Sequence, residues 1–425
     1  MAMTCLAFFS NMKRFISLLL FSLISVQAFC CTSLIISGRY TVDGRPVMMK
    51  NRDTGELNNR ISYYKGPLYS FIGLEDSPAP ENGVWTGTNS VGFSIMNTAS
   101  YNIKDDDVAD DLMDKEGILM FKALGSCRDI KDFENLLDTL SRPMGVEANF
   151  GVIDAYGGAA YYEVNNHSWI KYDVNMIPEG YKVVTNFSES GPREKYEGYE
   201  RYLTATSIVS ELYRSGRLKK ADHSLLINSL SRSYRHEILG MDYVRDYDIL
   251  KKNTSFSGTV VDQDFIPRRI TSAVIVIEGV KIGEDPQHTV MWTAIGYPSS
   301  TVYVPLLVGK EEILPSYVKG GKSDGHSVIC DEALDIKSSF IFNYDISNGS
   351  HYLRLDNVLR GNEGRPSLLS CCRKAESVID ESFINLHSEW TSGKISDDEF
   401  YKKYRDISES FLGEYHSVFA SFRNK

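Results

Sequence analysis

Histidine is scarce: eight residues in a chain of 425, scattered and none in a recognisable catalytic context. A histidine-centred triad therefore has no support in the pattern. No G-x-G-x-x-G precedes a helix, and there is no P-loop and no H-E-x-x-H. Dinucleotide binding, P-loop phosphoryl transfer and zinc-protease chemistry are left without a motif. Basic charge is also short, with 46 Lys and Arg against 56 Asp and Glu and a net charge of −10. General nucleic-acid binding needs a basic face, so that class is excluded. No cysteines have C-x-x-C spacing, which removes support for a zinc site. The longest apolar stretch, Phe15–Val26, is shorter than a spanning helix needs. There is no internal repeat and no low-complexity tract.

What is present starts with a leader. Lys13-Arg14 is a basic n-region, Phe15–Val26 an apolar h-region, and Ala28-Phe29-Cys30 ends the segment before Cys31. Met12-Lys13-Arg14 reads as a more natural start than Met1. Residues 1–30 are read as a cleaved signal peptide, so the mature chain is expected to be exported, periplasmic or extracellular, beginning at Cys31. A lipidated Cys30 or Cys31 is the rival reading. Phe29 and Cys30 are poor residues to precede a lipidated cysteine, and acylation would disable the amine considered below. Five cysteines follow the cut: Cys31, Cys127, Cys330, Cys371 and Cys372. The odd count suits one reactive thiol. The other four are open between disulfides and buried thiols.

The remaining composition, 42% hydrophobic and 24% charged, is that of a globular chain long enough for a large core. Thr32–Ser37 and Val47–Lys50 read as strands around the Asp43-Gly44 turn signal. A strict two-residue turn would place Cys31 opposite Glu56, leaving Asp53 about 10 Å short at ~3.3 Å per residue. Further strands are expected from Arg60 to Leu74, around the Asn89-Ser90 turn, in the Asn149–Val164 hairpin, at Tyr181–Thr185, and at Ser272–Val280, His288–Ile295 and Val302–Val308. Helices are expected over Asp105–Gly125, Asp129–Leu140, Tyr196–Leu212, Ala221–Leu239 and Leu368–Trp390. Ser396-Asp397-Asp398-Glu399 is a capping box. Phe400, Tyr404, Ile407, Phe411, Tyr415, Val418 and Phe422 then form one apolar helical face, to pack on the body or in a homo-oligomer. Antiparallel groups of strands with helices between them indicate a layered α+β architecture. The expected division is a catalytic domain over 31–365 and a helical extension over 366–425.

A processed Cys31 would carry a thiol and an α-amine on one residue. A free thiol has a pKa near 8.5 and a terminal amine one near 8. The amine can take the thiol proton and later pass it to a leaving amine. Three supporting roles then need residues. Asp53 suits orientation of the amine. Asn97 or Asn186, at strand ends, suit stabilisation of an oxyanion. Arg52, Arg268 and Arg269 are candidates to hold an anionic substrate group. Each has a bland alternative: Cys31 a lipid anchor or disulfide half, Asp53 a turn residue, Asn186 a strand cap, the arginines solvated surface.

The combination is more telling than its parts. Cys31-Thr32-Ser33, Asp43-Gly44-Arg45-Pro46 and Lys50-Asn51-Arg52-Asp53 resemble the mature start of N-terminal-nucleophile (Ntn) hydrolases. The resemblance is to the acyl-coenzyme A:6-aminopenicillanic acid acyltransferase (isopenicillin-N acyltransferase-like) family, with choloylglycine hydrolases related to it. Gly87–Phe93 followed by Asn97, Asn149–Val164, Val183–Phe187 and Arg268–Ser272 running into Val274–Val280 look like its later blocks. The resemblance covers roughly Cys31 to Val308. It implies an αββα sandwich of two antiparallel sheets between helix layers. It also implies Cys31 as nucleophile and base, Asp53 near the amine, Asn186 as an oxyanion donor, and Asn97 on the substrate or oxyanion side. Lys50 stands where bile-salt hydrolases carry an arginine three residues before their motif Asp, and Lys does not reproduce a planar guanidinium fork.

The expected activity is cleavage of a linear, non-peptide amide C–N bond, or acyl transfer to another amine, through an acyl-enzyme thioester on a small-molecule substrate. The alternatives are a secreted Ntn dipeptidase and a non-enzymatic surface lipoprotein or binding module. No metal, organic cofactor or nucleic-acid partner is implied, nor stable membrane insertion once the leader is removed.

Overall fold

Two antiparallel sheets carry the structure, a computed structural model that describes residues 31–78, 83–262, 264–321, 325–343, 352–361 and 364–423. The leader, with Cys30 and the cut before Cys31, lies outside the described residues. Along the chain the strands are β1 (Thr32–Ile36), β2 (Val47–Asp53), β3 (Asn59–Lys65), β4 (Ser70–Asp76), β5 (Thr86–Asn89), β6 (Ser94–Ala99), β7 (Ala148–Ile153), β8 (Ala159–Val164), β9 (Trp169–Asp173) and β10 (Tyr181–Val184). Two short ribbon strands follow, β11 (Arg235–His236) and β12 (Met241–Asp242), then β13 (Thr259–Val261), β14 (Thr271–Glu278), β15 (Val290–Ile295), β16 (Val304–Leu306) and β17 (Tyr352–Arg354). The first sheet has the order β10-β1-β2-β14-β15-β16 and the second runs β3 to β9 in sequence order.

Side-chain alternation shows how the sheets stack. In β8, Ala159 and Tyr161 join the core between the sheets, while Ala160 and Tyr162 face the opposite way. That second face, with Phe71, Phe93 and Phe150, is covered by helices Glu116–Ser126 and Ile130–Thr139. Gly151 lies at a close approach between the sheets, because a Cβ there would press on the Met96, Tyr161 and Ile35 side chains. The far face of the first sheet is covered by helix Tyr199–Arg214 and by the C-terminal helices Leu368–Thr391 and Asp397–Arg423. The order of layers is helix, sheet, sheet, helix, the αββα sandwich expected above. A strand covered on both faces can carry an unbroken apolar run, as β14 does over Ala273–Ile277 and β15 over Val290–Trp292.

The C-terminal helices belong to the same core as the sheet. Trp390 stacks on Phe400 with ring centroids 3.9 Å apart, and Phe383 meets Trp292 of β15 at 5.3 Å. Burial of each such ring contributes about 1.5–3 kcal/mol. Ser396 Oγ accepts from Glu399 N, as the capping box requires. No described helix is long and apolar enough to cross a membrane. All five described cysteines are free and buried.

Three expectations needed revision. Ten residues, not two, separate β1 from β2, and the register sets Thr32 opposite Asn51. The loop folds back on itself, with Thr41 Oγ1 donating to Arg45 O. That brings Asp53 to the level of Cys31. The helix expected over Asp105–Gly125 begins only at Glu116, after a 3-10 turn at Asp110–Leu112 and a left-handed Asp114 (φ 62°). Ala221–Leu239 holds a helix only at His223–Leu226, then a π-turn over Ile227–Ser231 and the β11–β12 ribbon.

Candidate active site

The second half of β2 is the anomaly of the fold. Lys50, Asn51, Arg52 and Asp53 occupy a strand flanked by β1 and β14, and each is less than 5% exposed. Burying four such groups costs free energy unless every one is paired. Strand alternation divides them. Lys50 and Arg52 reach toward the second sheet, whereas Asn51 and Asp53 face the helical layer.

On the helical side, Asp53 is wholly buried and held by three donors. Oδ1 accepts from Thr271 Oγ1 at 2.6 Å and from Asn51 Nδ2 at 3.0 Å, and Oδ2 accepts from Arg268 Nε at 2.9 Å. A bulge between Thr271 and Ala273 of β14 sets Thr271 directly opposite Asp53. Burial pushes the Asp53 carboxyl above its ordinary range, with Arg268, Arg201 and the Thr271 hydroxyl opposing the shift. Arg269, beside Arg268, donates its backbone N–H to Asp262 Oδ2 at 2.6 Å.

On the side facing the second sheet, Lys50 Nζ donates to Trp85 O at 2.7 Å and to Asn97 Oδ1 at 2.8 Å. An ammonium only donates, so the Asn97 atom it meets is the oxygen. Asn97 Nδ2 makes no hydrogen bond with the described residues. Burial lowers the Lys50 pKa to about 8, although a charge on Cys31 opposes the shift. Arg52 pairs with Asp76 at 2.7 Å, donates to Asn59, and lies over the Trp85 ring. It is thus tied into the wall of the site.

Cys31 immediately precedes β1 and is buried, with Sγ 3.9 Å from the Asp53 carbonyl oxygen. Its own carbonyl accepts from Arg201 Nη1 at 2.8 Å. The same guanidinium donates from Nη2 to Asn186 Oδ1 at 3.0 Å, while Asn186 Nδ2 donates to Ala99 O at 2.9 Å. Cys31, Asp53 and Arg268 therefore adjoin directly. Asn186 joins them through Arg201. Asn97 joins through Lys50, the residue the sequence marked only as a departure. Arg201 carried no sequence signal, and Thr271 stood only inside the Arg268–Ser272 block with no role of its own. Each resembles an ordinary helix or strand residue until the fold brings it to Cys31 or Asp53.

No family model matches the chain, and no curated protein matches it. Solved structures similar to it include the Caenorhabditis elegans ortholog of N-acylethanolamine-hydrolyzing acid amidase, at 18% identity and a TM-score of 0.39, covering 58% of this chain and 92% of that one. Penicillin V acylase from Agrobacterium tumefaciens is similar at 9% identity and a TM-score of 0.36, covering 66% and 87%. A variant conjugated bile acid hydrolase from Clostridium perfringens is similar at 12% identity and a TM-score of 0.37, covering 66% and 93%. At that distance a functional reading rests on the site geometry.

Proposed function

We propose that this chain is an exported Ntn enzyme that cleaves a linear amide, or transfers its acyl group, using Cys31 freed by removal of residues 1–30. The observation that carries the reading is the meeting of Cys31 with a wholly buried, three-donor Asp53 at the end of a polar central strand. Stability alone does not call for that arrangement, because apolar residues would fill the same space without desolvating a carboxylate.

In this reading the Cys31 α-amine takes the thiol proton, and Asp53 orients that amine. Sulfur attacks the acyl carbon, a C–S bond forms, and the carbonyl π pair moves to oxygen. The Nδ2 of Asn97 is the candidate donor for that oxyanion, its amide oriented by Lys50. Collapse of the intermediate breaks the C–N bond, and the α-ammonium protonates the leaving nitrogen. Water then attacks the thioester in hydrolysis, and a second amine attacks it in transfer. A panel of linear acyl amides differing in acyl group and amine is the first substrate set to try.

The test combines intact mass and N-terminal sequencing of the exported protein with turnover of an acyl-amide panel. Support is a chain beginning at unmodified Cys31 whose activity disappears in Cys31→Ala. A chain beginning elsewhere, lipid on Cys30 or Cys31, or full activity in Cys31→Ala overturns the reading.

A further inference from the structure

Arg201 and Arg232 are both completely buried, and their partners differ in kind. Arg232 forms a two-pronged pair with the Glu376 carboxylate at 2.7 and 2.6 Å, a structural arrangement that neutralises both charges. Arg201 makes its hydrogen bonds to neutral acceptors: Cys31 O at 2.8 Å, Thr32 Oγ1 at 3.1 Å and Asn186 Oδ1 at 3.0 Å. The Glu200 carboxylate oxygen Oε1 lies 3.7 Å from Nε, beyond hydrogen-bonding distance, and Nε itself has no hydrogen-bond partner. A buried guanidinium without a bonded carboxylate is costly to keep. The chain also makes room for it. Gly198 adopts a left-handed φ of 70°, and a Cβ there would overlap the guanidinium.

We infer that Arg201 is a positioning residue that fixes the backbone of Cys31 to the Asn186 carboxamide. The inference rests on the proposed role of Cys31. Only donors leave a guanidinium, so it holds the carbonyl oxygen of Asn186 toward itself and turns Nδ2 the other way. One rigid fork thereby sets the distance between the residue that attacks and an amide two residues past β10. Its charge also faces Asp53 and favours the ionised carboxylate.

The experiment compares Arg201→Lys and Arg201→Met with Arg232→Lys in the processed enzyme, folding being followed by thermal denaturation. Both Arg201 variants should lose kcat by roughly 10²-fold, the cost of about an ångström of misplacement, with KM changed less than about threefold. Arg201→Met should also move the acid limb of kcat/KM to higher pH, because Asp53 loses a neighbouring cation. Arg201→Lys keeps the charge and should leave that limb in place. Arg232→Lys should lower Tm without changing kcat per titrated active site or the acid limb. If Arg201→Met does not fold, Arg201→Lys decides by its kcat. Wild-type kcat per titrated site in the folded Arg201 variants overturns the inference. So does an acid limb in Arg201→Met that has not moved. Turnover by Cys31→Ala would instead strike the proposed function, so the two failures are distinguishable.

Discussion

Lys50 Nζ and Asn97 Oδ1 share a 2.8 Å hydrogen bond that crosses from the central strand of one sheet to β6 of the other. This bond selects the rotamer of the Asn97 amide, because the opposite face of the carboxamide could not accept from an ammonium. Lys50→Met should therefore lower kcat about 10²-fold, the size of effect seen when one oxyanion donor is lost. Burial lowers the Lys50 pKa to about 8, so the ammonium is present below that pH and lost above it. A decline in kcat/KM centred near pH 8 is expected. Lys50→Arg, whose guanidinium does not titrate in this range, should keep activity level where the native enzyme falls. An unchanged alkaline limb in Lys50→Arg would separate Lys50 from the chemistry.

Asp53 accepts from Arg268, and removing it damages function and fold by different routes. Asp53→Asn keeps an oxygen for Thr271 but cannot stabilise a positive α-amine, so kcat should fall by at least about 10²-fold. Asp53→Ala removes the carboxylate to which Arg268, only 18% exposed, donates from Nε, and leaves a cavity in its place. Breaking a buried pair on one side costs about 3–5 kcal/mol. Urea denaturation should place Asp53→Ala well below Asp53→Asn, while activity assays place both near zero. Similar unfolding midpoints for the two would show that the hydrogen bond an amide keeps to Thr271 adds nothing to stability.

Much of this site was legible before folding, and the illegible parts have physical causes. Cys31 and Lys50-Asn51-Arg52-Asp53 stand out because a polar run interrupts strand patterning. Their register did not, because Asp43-Gly44 reads as a tight turn whereas the loop spans residues 37–46. Arg201 could not be found by pattern: on helix Tyr199–Arg214 it follows Glu200 and reads as one more solvated charge. The helix expected over Ala221–Leu239 fails for a tertiary reason. The Arg232 side chain leaves the π-turn for Pro298 O, Thr301 O and Glu376, contacts that no local propensity encodes.

Glu376 ties the first C-terminal helix to the body through Arg232, and both are almost completely buried. Glu376→Ala leaves an uncompensated guanidinium and should destabilise by about 3–5 kcal/mol. The double variant Arg232→Met/Glu376→Leu removes both charges and should recover most of that loss, since apolar replacement of a buried pair is often neutral. Calorimetry of the two variants and the native chain measures the difference. A double variant as unstable as Glu376→Ala would mean that the bonds of Arg232 to Pro298 O and Thr301 O outweigh the ion pair.

His223 supplies a second attachment, and this one depends on pH. Nδ1 lies 2.8 Å from Glu278 Oε1 at the end of β14, and Nε2 lies 3.0 Å from Asp380 Oδ1 on helix Leu368–Thr391. Asp222 precedes it, Tyr303 meets it edge-on, and Trp292 stacks on its ring with centroids 3.4 Å apart. Burial alone would lower the imidazole pKa, but the Glu278 and Asp380 carboxylates outweigh it and raise the value to about 9 from 6.5. Burial likewise works against ionisation of Glu278, yet His223 holds that carboxyl below its ordinary range, so the pair stays charged through neutral pH. A group whose pKa is higher folded than unfolded binds its proton more tightly in the folded state. The stabilisation is full below about 6.5, declines as pH rises, and is gone above about 9. A shift of that size corresponds to about 3 kcal/mol. Urea midpoints of the native chain should therefore fall between pH 6 and pH 9.5 by that order. In His223→Gln, which can bond to one carboxylate but cannot carry charge, most of that slope should disappear, with the variant much weaker than native at pH 6 and close to it at pH 9.5. Parallel midpoint-against-pH lines for the two proteins would mean that His223 is neutral in the folded state, and that Asp380 or Glu278 carries the proton between them.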